Sequence, residues 1–323
     1  MDEHYAQTVR LLLTAAPAVF DNTIFAMKGG TAINLFIQDM PRLSVDIDVV
    51  YIPWQHNREE ALCNIAAELE QIRERLTPLG LTVRTLPATK NQSETKLFIE
   101  NEVSQVKVEV NFVFRGTVLP PIKHTLSPMT STTFSAELEV PLLVPDELYG
   151  SKLVAALDRQ HPRDLFDVWR LFETGGLTDA TIECFVTYLA GHNRPSHEVL
   201  FGTDKNIERE YNDHFVGMTT DPVPLETLLS TRTRLREELS RRLTPDQRRF
   251  LVSLSRAQPE WQLLKCPHAA KLPALRWKME NLEKFKKKRP EDFSAQADEL
   301  ERLLTQSGHD SVTDRSRTLP TQA

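Results

Sequence analysis

Lys28-Gly29-Gly30-Thr31-Ala32-Ile33-Asn34-Leu35, followed by Arg42-Leu43-Ser44-Val45-Asp46-Ile47-Asp48-Val49-Val50, decides how this chain is read. The first stretch predicts a short strand, Ile24 to Lys28, that ends in a glycine pair and passes into a helix over Thr31 to Phe36. The second predicts a strand over Ser44 to Tyr51, stopped by Pro53. Side chains alternate across a strand, so Ser44, Asp46 and Asp48 share one face while Val45, Ile47 and Val49 share the other. Two neighbouring carboxylates repel each other and call for a cation. Magnesium suits them, because it takes a few carboxylates together with phosphate oxygens and water, and a pair of such ions can hold the attacking and leaving oxygens of a displacement. Gly29 and Gly30, lacking a β-carbon, let the backbone approach a phosphate, and the N–H groups opening the next helix favour an anion. Taken singly, the two halves also fit a plain Gly-Gly turn and a solvated Asp-x-Asp edge. Their order is what points to phosphate chemistry.

A Gly-Gly-Thr turn, a helix, then Arg-x-Ser-x-Asp-x-Asp on a strand resembles the minimal nucleotidyltransferases of the DNA polymerase β superfamily. More narrowly, it resembles the AbiEii/AbiGii-type toxins, which include the MenT toxins. Gly30-Thr31 stands where the superfamily has Gly-Ser, and keeps the hydroxyl. The resemblance implies an α+β fold: a minimal nucleotidyltransferase core with a mixed or antiparallel sheet flanked by helices, then a helical C-terminal domain that completes the active-site cleft. It implies transfer of a nucleoside monophosphate from an NTP with release of pyrophosphate. Gly29, Gly30, Thr31, Arg42 and Ser44 would hold the nucleotide, and Asp46, Asp48 and a third carboxylate would hold Mg2+, as two ions. The run Val106-Lys107-Val108-Glu109-Val110-Asn111-Phe112 puts Lys107, Glu109 and Asn111 on one strand face. Alternation alone equally fits an ordinary polar face; the resemblance makes Glu109 the third carboxylate, assisting the acceptor hydroxyl.

Upstream and downstream of this centre the pattern predicts helices over Glu3 to Phe20 and from Asn57 to Leu76. Strands are expected at Leu81 to Leu86, Thr95 to Glu100, Gln105 to Phe114 and Thr133 to Val140. Pro145-Asp146-Glu147 opens a helix running to Asp158, with Lys152 on its inward face beside Leu148 and Ala156. An unpaired ammonium buried there costs several kcal/mol, so Lys152 either meets an anion or carboxylate or snorkels to water. Pro162 opens the next helix, with Asp164 in its first turn, and Arg163 and Asp167 are spaced as an exposed i,i+4 pair. A lysine in one helix and Arg-Asp-x-x-Asp opening the next is similar to the later motifs of AbiEii-type proteins. That implies that Lys152 contacts the triphosphate or base and that Asp164 orients it.

With 323 residues, 40% of them hydrophobic, the chain is long enough for two domains. The division expected is a core over 1–144, a helical domain over 145–306 and a polar, disordered tail over 307–323. A net charge of -6 excludes a global pull toward nucleic acid or anionic membrane. Arginines at 232, 234, 236, 241, 242, 248 and 249 read either as solvated helix faces or as a track for phosphate backbones. Trp261 and Trp277 read as helical core. Cys63, Cys184 and Cys266 lack zinc spacing and read as buried thiols. No apolar run approaches the ~20 residues of a membrane span, and the Met1-Asp2-Glu3-His4 start is no signal peptide, so a cytoplasmic location is expected. The resemblance further implies a toxin of a toxin–antitoxin pair, acting on an RNA acceptor, the tRNA 3′ end, and restrained by a separate antitoxin protein. Protein nucleotidylation, γ-phosphoryl transfer from the same site, and a non-catalytic nucleotide-binding module are the alternatives.

Overall fold

The computed structural model describes residues 3–86 and 94–315. It divides into two compact units, one comprising Met1–Leu148, His214–Val223 and Lys271–Ala274, the other Tyr149–Asp213, Pro224–Ala270 and Leu275–Ala323.

In the first unit, α1 (Glu3–Val19) buries Val9, Leu12 and Ala16 at helical spacing. β1 (Phe25–Lys28) runs into α2 (Gly29–Ala32), which widens over Ile33–Ile37 into a π turn closed by the Gln38 N–H on the Ile33 carbonyl at 2.8 Å. β2 (Ile47–Tyr51) is followed by α3 (Arg58–Leu76), whose first turn is capped by the Asn57 side chain accepting from the Glu60 N–H. β3 (Thr82–Leu86), β4 (Glu94–Glu100) and β5 (Gln105–Asn111) are the next strands, with Asn101 Oδ1 closing the β4–β5 turn by accepting from the N–H groups of Val103 and Ser104. β6 (Ile122–Thr125), α4 (Pro128–Phe134) and β7 (Glu139–Leu142) complete the set.

Among the described residues the strands form one mixed seven-stranded sheet in the order β3-β4-β5-β2-β1-β7-β6, parallel at β5–β2 and β1–β7 and antiparallel elsewhere. Val106, Val108 and Val110 point into the core and leave Lys107 and Glu109 half-buried on the other face. Register carries a row of charge across four strands: Lys96 pairs with Glu109, Glu109 with Asp48, and Asp48 with Lys28.

The sheet departs from the sequence reading at β6, which falls where no strand is expected, at the start of β2 and over Thr133 to Val140. β2 begins at Ile47 rather than Ser44, so Ser44 and Asp46 lie ahead of the strand. The reason is local: β1 turns into a helix at Gly29 and offers no partner beyond the Lys28–Asp48 pair, while the Leu43 N–H bonds to the Met218 carbonyl at 2.8 Å and Arg42 bridges to Thr219. The strand expected over Thr133 to Val140 is α4 followed by the short β7. Ser127 caps α4 by accepting from the Thr130 N–H, and Pro128 fits its first turn, so capping overrides the strand preference of the threonines.

Glu147 is fully buried in this unit, and its two oxygens accept from the N–H groups of Val118 at 2.7 Å and Leu119 at 2.9 Å. Glutamine offers one acceptor oxygen and sets an NH2 group against the other donor. Glu147→Gln is therefore expected to lower unfolding stability by about 1–3 kcal/mol in urea denaturation.

The second unit is helical. α5 (Pro145–Arg159) enters it, and α6 (Pro162–Thr174) starts at Pro162 with the His161 ring accepting from the Arg163 N–H. α7 (Asp179–Ala190), α8 (Ser196–Leu200), α9 (Glu208–His214), α10 (Leu225–Arg242), α11 (Pro245–Ser255), α12 (Pro273–Lys288) and α13 (Pro290–Arg315) follow. α10 packs on α6 and α13, and α11 on α7 and α13. α11 opens with a reciprocal box between Thr244 and Gln247. α13 extends into the stretch expected to be disordered; residues 316–323 of that stretch lie outside the described residues. Trp277 is 47% exposed rather than core, and Cys63 is exposed because it falls off the α3 stripe of Ala61, Ile65, Leu69 and Ile72. No helix among the described residues is long and apolar enough to cross a membrane.

Candidate active site

The glycine turn and the aspartate strand meet directly. Gly29 has φ +81°, and a Cβ placed on it would lie 2.2 Å from Asp48 Oδ2, so the carboxylate occupies the space that any larger residue would need. A Cβ on Gly30 would lie 2.6 Å from Arg42 Nη2 and 2.9 Å from Ser44 Oγ. Thr31 Oγ1 and Ser44 Oγ are 3.0 Å apart, Asn34 Nδ2 donates to the Gly30 carbonyl at 2.9 Å, and the Ser44 N–H donates to the Tyr5 hydroxyl at 3.2 Å. Burial raises the Tyr5 pKa despite the opposing effects of Ser44 and Arg42. Arg42 is itself buried, with Nη1 donating to the Leu43 carbonyl at 2.9 Å. Gly29, Gly30, Thr31, Arg42, Ser44 and Asp48 are thus brought together around the opening turn of α2, with a guanidinium against the glycines.

Around Glu109 the surroundings are cationic. Lys107 Nζ is 2.8 Å from Glu109 Oε1 and 3.6 Å from Asp46 Oδ1, and Lys96 Nζ is 3.1 Å from Glu109 Oε1. Sequence reasoning placed Lys107 on the same face as Glu109 but missed Lys96, which only the β4–β5 register reveals. Burial alone would push the Glu109 carboxyl up, but the hydrogen bonds from Lys107 and Lys96 outweigh it and hold Glu109 below the usual range. The Lys107 ammonium is opposed by burial, yet is raised by Glu109 and Asp46. A depressed carboxylate contributes stability that is present above its unfolded pKa, near 4.5, and is lost as pH falls through the folded value. Thermal melts of wild type and Glu109→Gln are expected to differ above pH 4.5 and to converge in more acidic buffer.

In the second unit, Lys152 Nζ lies 2.9 Å from Asp164 Oδ1 and 3.0 Å from Asp167 Oδ2, and Arg159 Nη2 lies 2.8 Å from Asp164 Oδ2. Lys152, Asp164 and Asp167 are all buried. The lysine meets carboxylates and does not snorkel, and Asp167 faces it across the α5–α6 pair.

The helix arginines are largely occupied within this unit. Arg232 bonds to Gln160 and the Lys205 carbonyl, Arg236 to Asp204, Arg242 to the Leu177 carbonyl, Arg248 to the carbonyls of Ser240 and Leu304, and Arg249 to Glu260. Arg234 lies over the Phe172 ring at 4.3 Å. These contacts favour a structural role over an open phosphate track.

Among the described residues, no group of three or more His, Cys, Asp or Glu side chains is gathered as a metal site. Asp48 packs on Gly29, Asp46 lies against Lys107, and Glu109 is engaged by two ammoniums. The chemistry of Asp48, with Asp46 two residues before it, fits a hard divalent ion of the magnesium type, which binds through one or two carboxylates plus substrate phosphates.

A family model described as "Nucleotidyl transferase AbiEii toxin, Type IV TA system" matches residues 10–281. The chain belongs to this family. Among solved structures it is similar to MenT4, a nucleotidyltransferase toxin from Mycobacterium tuberculosis H37Rv, at 17% identity and a TM-score of 0.56, covering 76% of this chain and 88% of that one. At that identity the likeness speaks for the fold, which is the mixed sheet flanked by helices with a helical C-terminal region. A structure of the E. coli MS115-1 CdnC:HORMA-deltaN complex aligns at 14% identity over 84% of this chain and 88% of that one, with a TM-score of 0.23 too low to carry an argument. No curated protein matches the sequence.

Proposed function

We propose that this AbiEii-family toxin is an NTP-dependent nucleotidyltransferase that moves a nucleoside monophosphate onto an RNA acceptor, the tRNA 3′ end, in the cytoplasm, under the restraint of a separate antitoxin protein. The observation that carries the reading is the contact of Asp48 with Gly29, beside Gly30, Arg42 and Ser44. It sets a carboxylate and a backbone anion cradle against each other, the pairing a metal-bound triphosphate requires.

In this reading the N–H groups opening α2 and the hydroxyls of Thr31 and Ser44 hold phosphate oxygens, and the Arg42 guanidinium offsets their charge. Asp46 and Asp48 would hold Mg2+, which when bound neutralises the charge that grows on the leaving pyrophosphate. The acceptor hydroxyl forms a new ester bond to the α-phosphorus, the bond from the α-phosphorus to the bridging oxygen breaks, and the hydroxyl proton is released. Glu109, held low by two ammoniums, is a poor base for that proton. Lys152 is held within the second unit by Asp164 and Asp167. Most of the rate enhancement then comes from positioning and charge, as in other phosphoryl transfers.

Incubation with α-labelled and γ-labelled NTPs, with and without total tRNA, tests the proposal. Label from the α position on tRNA is the expected result. Label on protein, label from the γ position, or no transfer with any of the four NTPs would each replace it with a different activity.

A further inference from the structure

Resting on the transferase reading, the charges around Asp46 carry one step more. Lys107 Nζ sits between two carboxylates, 3.6 Å from Asp46 Oδ1 and 2.8 Å from Glu109 Oε1. Its side chain is 28% exposed and that of Glu109 20%, so the pair is only partly screened by water. Lys96 adds a second ammonium to the same Glu109 oxygen at 3.1 Å. A carboxylate oxygen that accepts from two ammoniums has little capacity left to ligate a metal ion. The flank of Asp46 that faces β5 is likewise already met by a positive charge.

We propose that Lys107 supplies in permanent form the second positive charge of this site, so that the protein takes up a single divalent ion at Asp46 and Asp48. Glu109 is then a positioning residue: it anchors the Lys107 ammonium against Asp46 and does not ligate metal. The strand pairing makes the arrangement rigid. Glu109 is in register with Asp48 on one side and with Lys96 on the other, and Lys107 precedes it by two residues on the same face. A fixed ammonium also competes with any divalent ion for Asp46, which lowers metal affinity in the absence of nucleotide.

Titration of the full-length chain with Mn2+, followed by electron paramagnetic resonance without nucleotide, reads this out apart from turnover. Wild type is expected to bind one ion per chain, and Glu109→Gln, which loosens the competing ammonium and removes no ligand, to bind it as tightly as wild type or more tightly. Lys107→Met, which removes the competing charge, is expected to bind at least about tenfold tighter or to admit a second ion. Lys107→Arg keeps the charge and is expected to match wild type. A tenfold or greater weakening in Glu109→Gln, two ions in wild type, or no change in Lys107→Met would overturn the inference while leaving the transferase reading in place. Wild type that takes up no Mn2+ even when the titration is repeated with an NTP present would overturn both. Melting curves establish that each variant is folded; should Lys107→Met not fold, the stoichiometry of wild type and the affinity of Glu109→Gln still decide.

Discussion

Asp48→Asn is expected to reduce nucleotidyl transfer at least about 10³-fold, on the order of 4 kcal/mol of transition-state stabilisation, with little change in melting temperature. Asparagine has the shape of aspartate, so the contact with Gly29 that leaves no room for a β-carbon is retained. What is lost is the negative charge, and with it the attraction for a divalent ion at the acid that packs on the glycine turn. Asp48 is half-buried, so bulk water replaces that interaction poorly. The measurement is single-turnover transfer from an α-labelled NTP at saturating metal, with circular dichroism as the check on fold. A variant retaining more than a tenth of wild-type activity would remove Asp48 from the chemistry and leave the cradle without its acid.

Lys152→Met is expected to have the largest effect on stability, about 3–5 kcal/mol. The substitution preserves much of the side-chain volume but leaves Asp164 and Asp167, both nearly inaccessible to water, without the ammonium that lies 2.9 and 3.0 Å from them. Arg159 still reaches Asp164, whereas Asp167 is 1% exposed and faces the loss most directly. For a unit of this size each kcal/mol shifts the melting temperature by about 2–4 °C, so a drop of roughly 6–20 °C is anticipated. Adding Asp167→Asn to Lys152→Met is expected to recover part of it, because the buried uncompensated charge is then gone. Melting within a degree or two of wild type would show that the cluster is hydrated and contributes to function alone.

Much of this architecture is legible because local signals are strong. Asn57 caps the helix expected after it, and Pro145 and Pro162 each open one. Alternation in Val106 to Asn111 fixes the face of Glu109, and the glycine pair fixes the turn. What escaped the sequence depends on partners distant along the chain. Lys96 is brought to Glu109 by strand register, and Arg42 is buried beside a segment near Thr219. Only the end of α4, at Thr133 and Phe134, overlaps the strand expected over Thr133 to Val140, because Thr133 suits a strand while Ser127-Pro128 opens a helix. The arginines of α10 and α11 show the limit of counting charges. Their spacing fits a solvated face or a phosphate track alike, and only tertiary contacts show Arg232 turned inward to Gln160.

The unit that carries the glycine turn is not contiguous. It takes back His214–Val223, which bridges to Arg42, and Lys271–Ala274, from which Leu272 reaches the neighbourhood of Gly116. During synthesis these pieces emerge long after the sheet, so a nascent chain that has left the ribosome only as far as β7 has made every strand and still lacks part of its packing. Completion of the packing around Arg42 is thereby tied to synthesis of the chain through Val223, a delay of several seconds at ordinary elongation rates of about 5–20 residues per second. For a protein of a toxin family, that interval is one in which an antitoxin can already be present before this packing is finished.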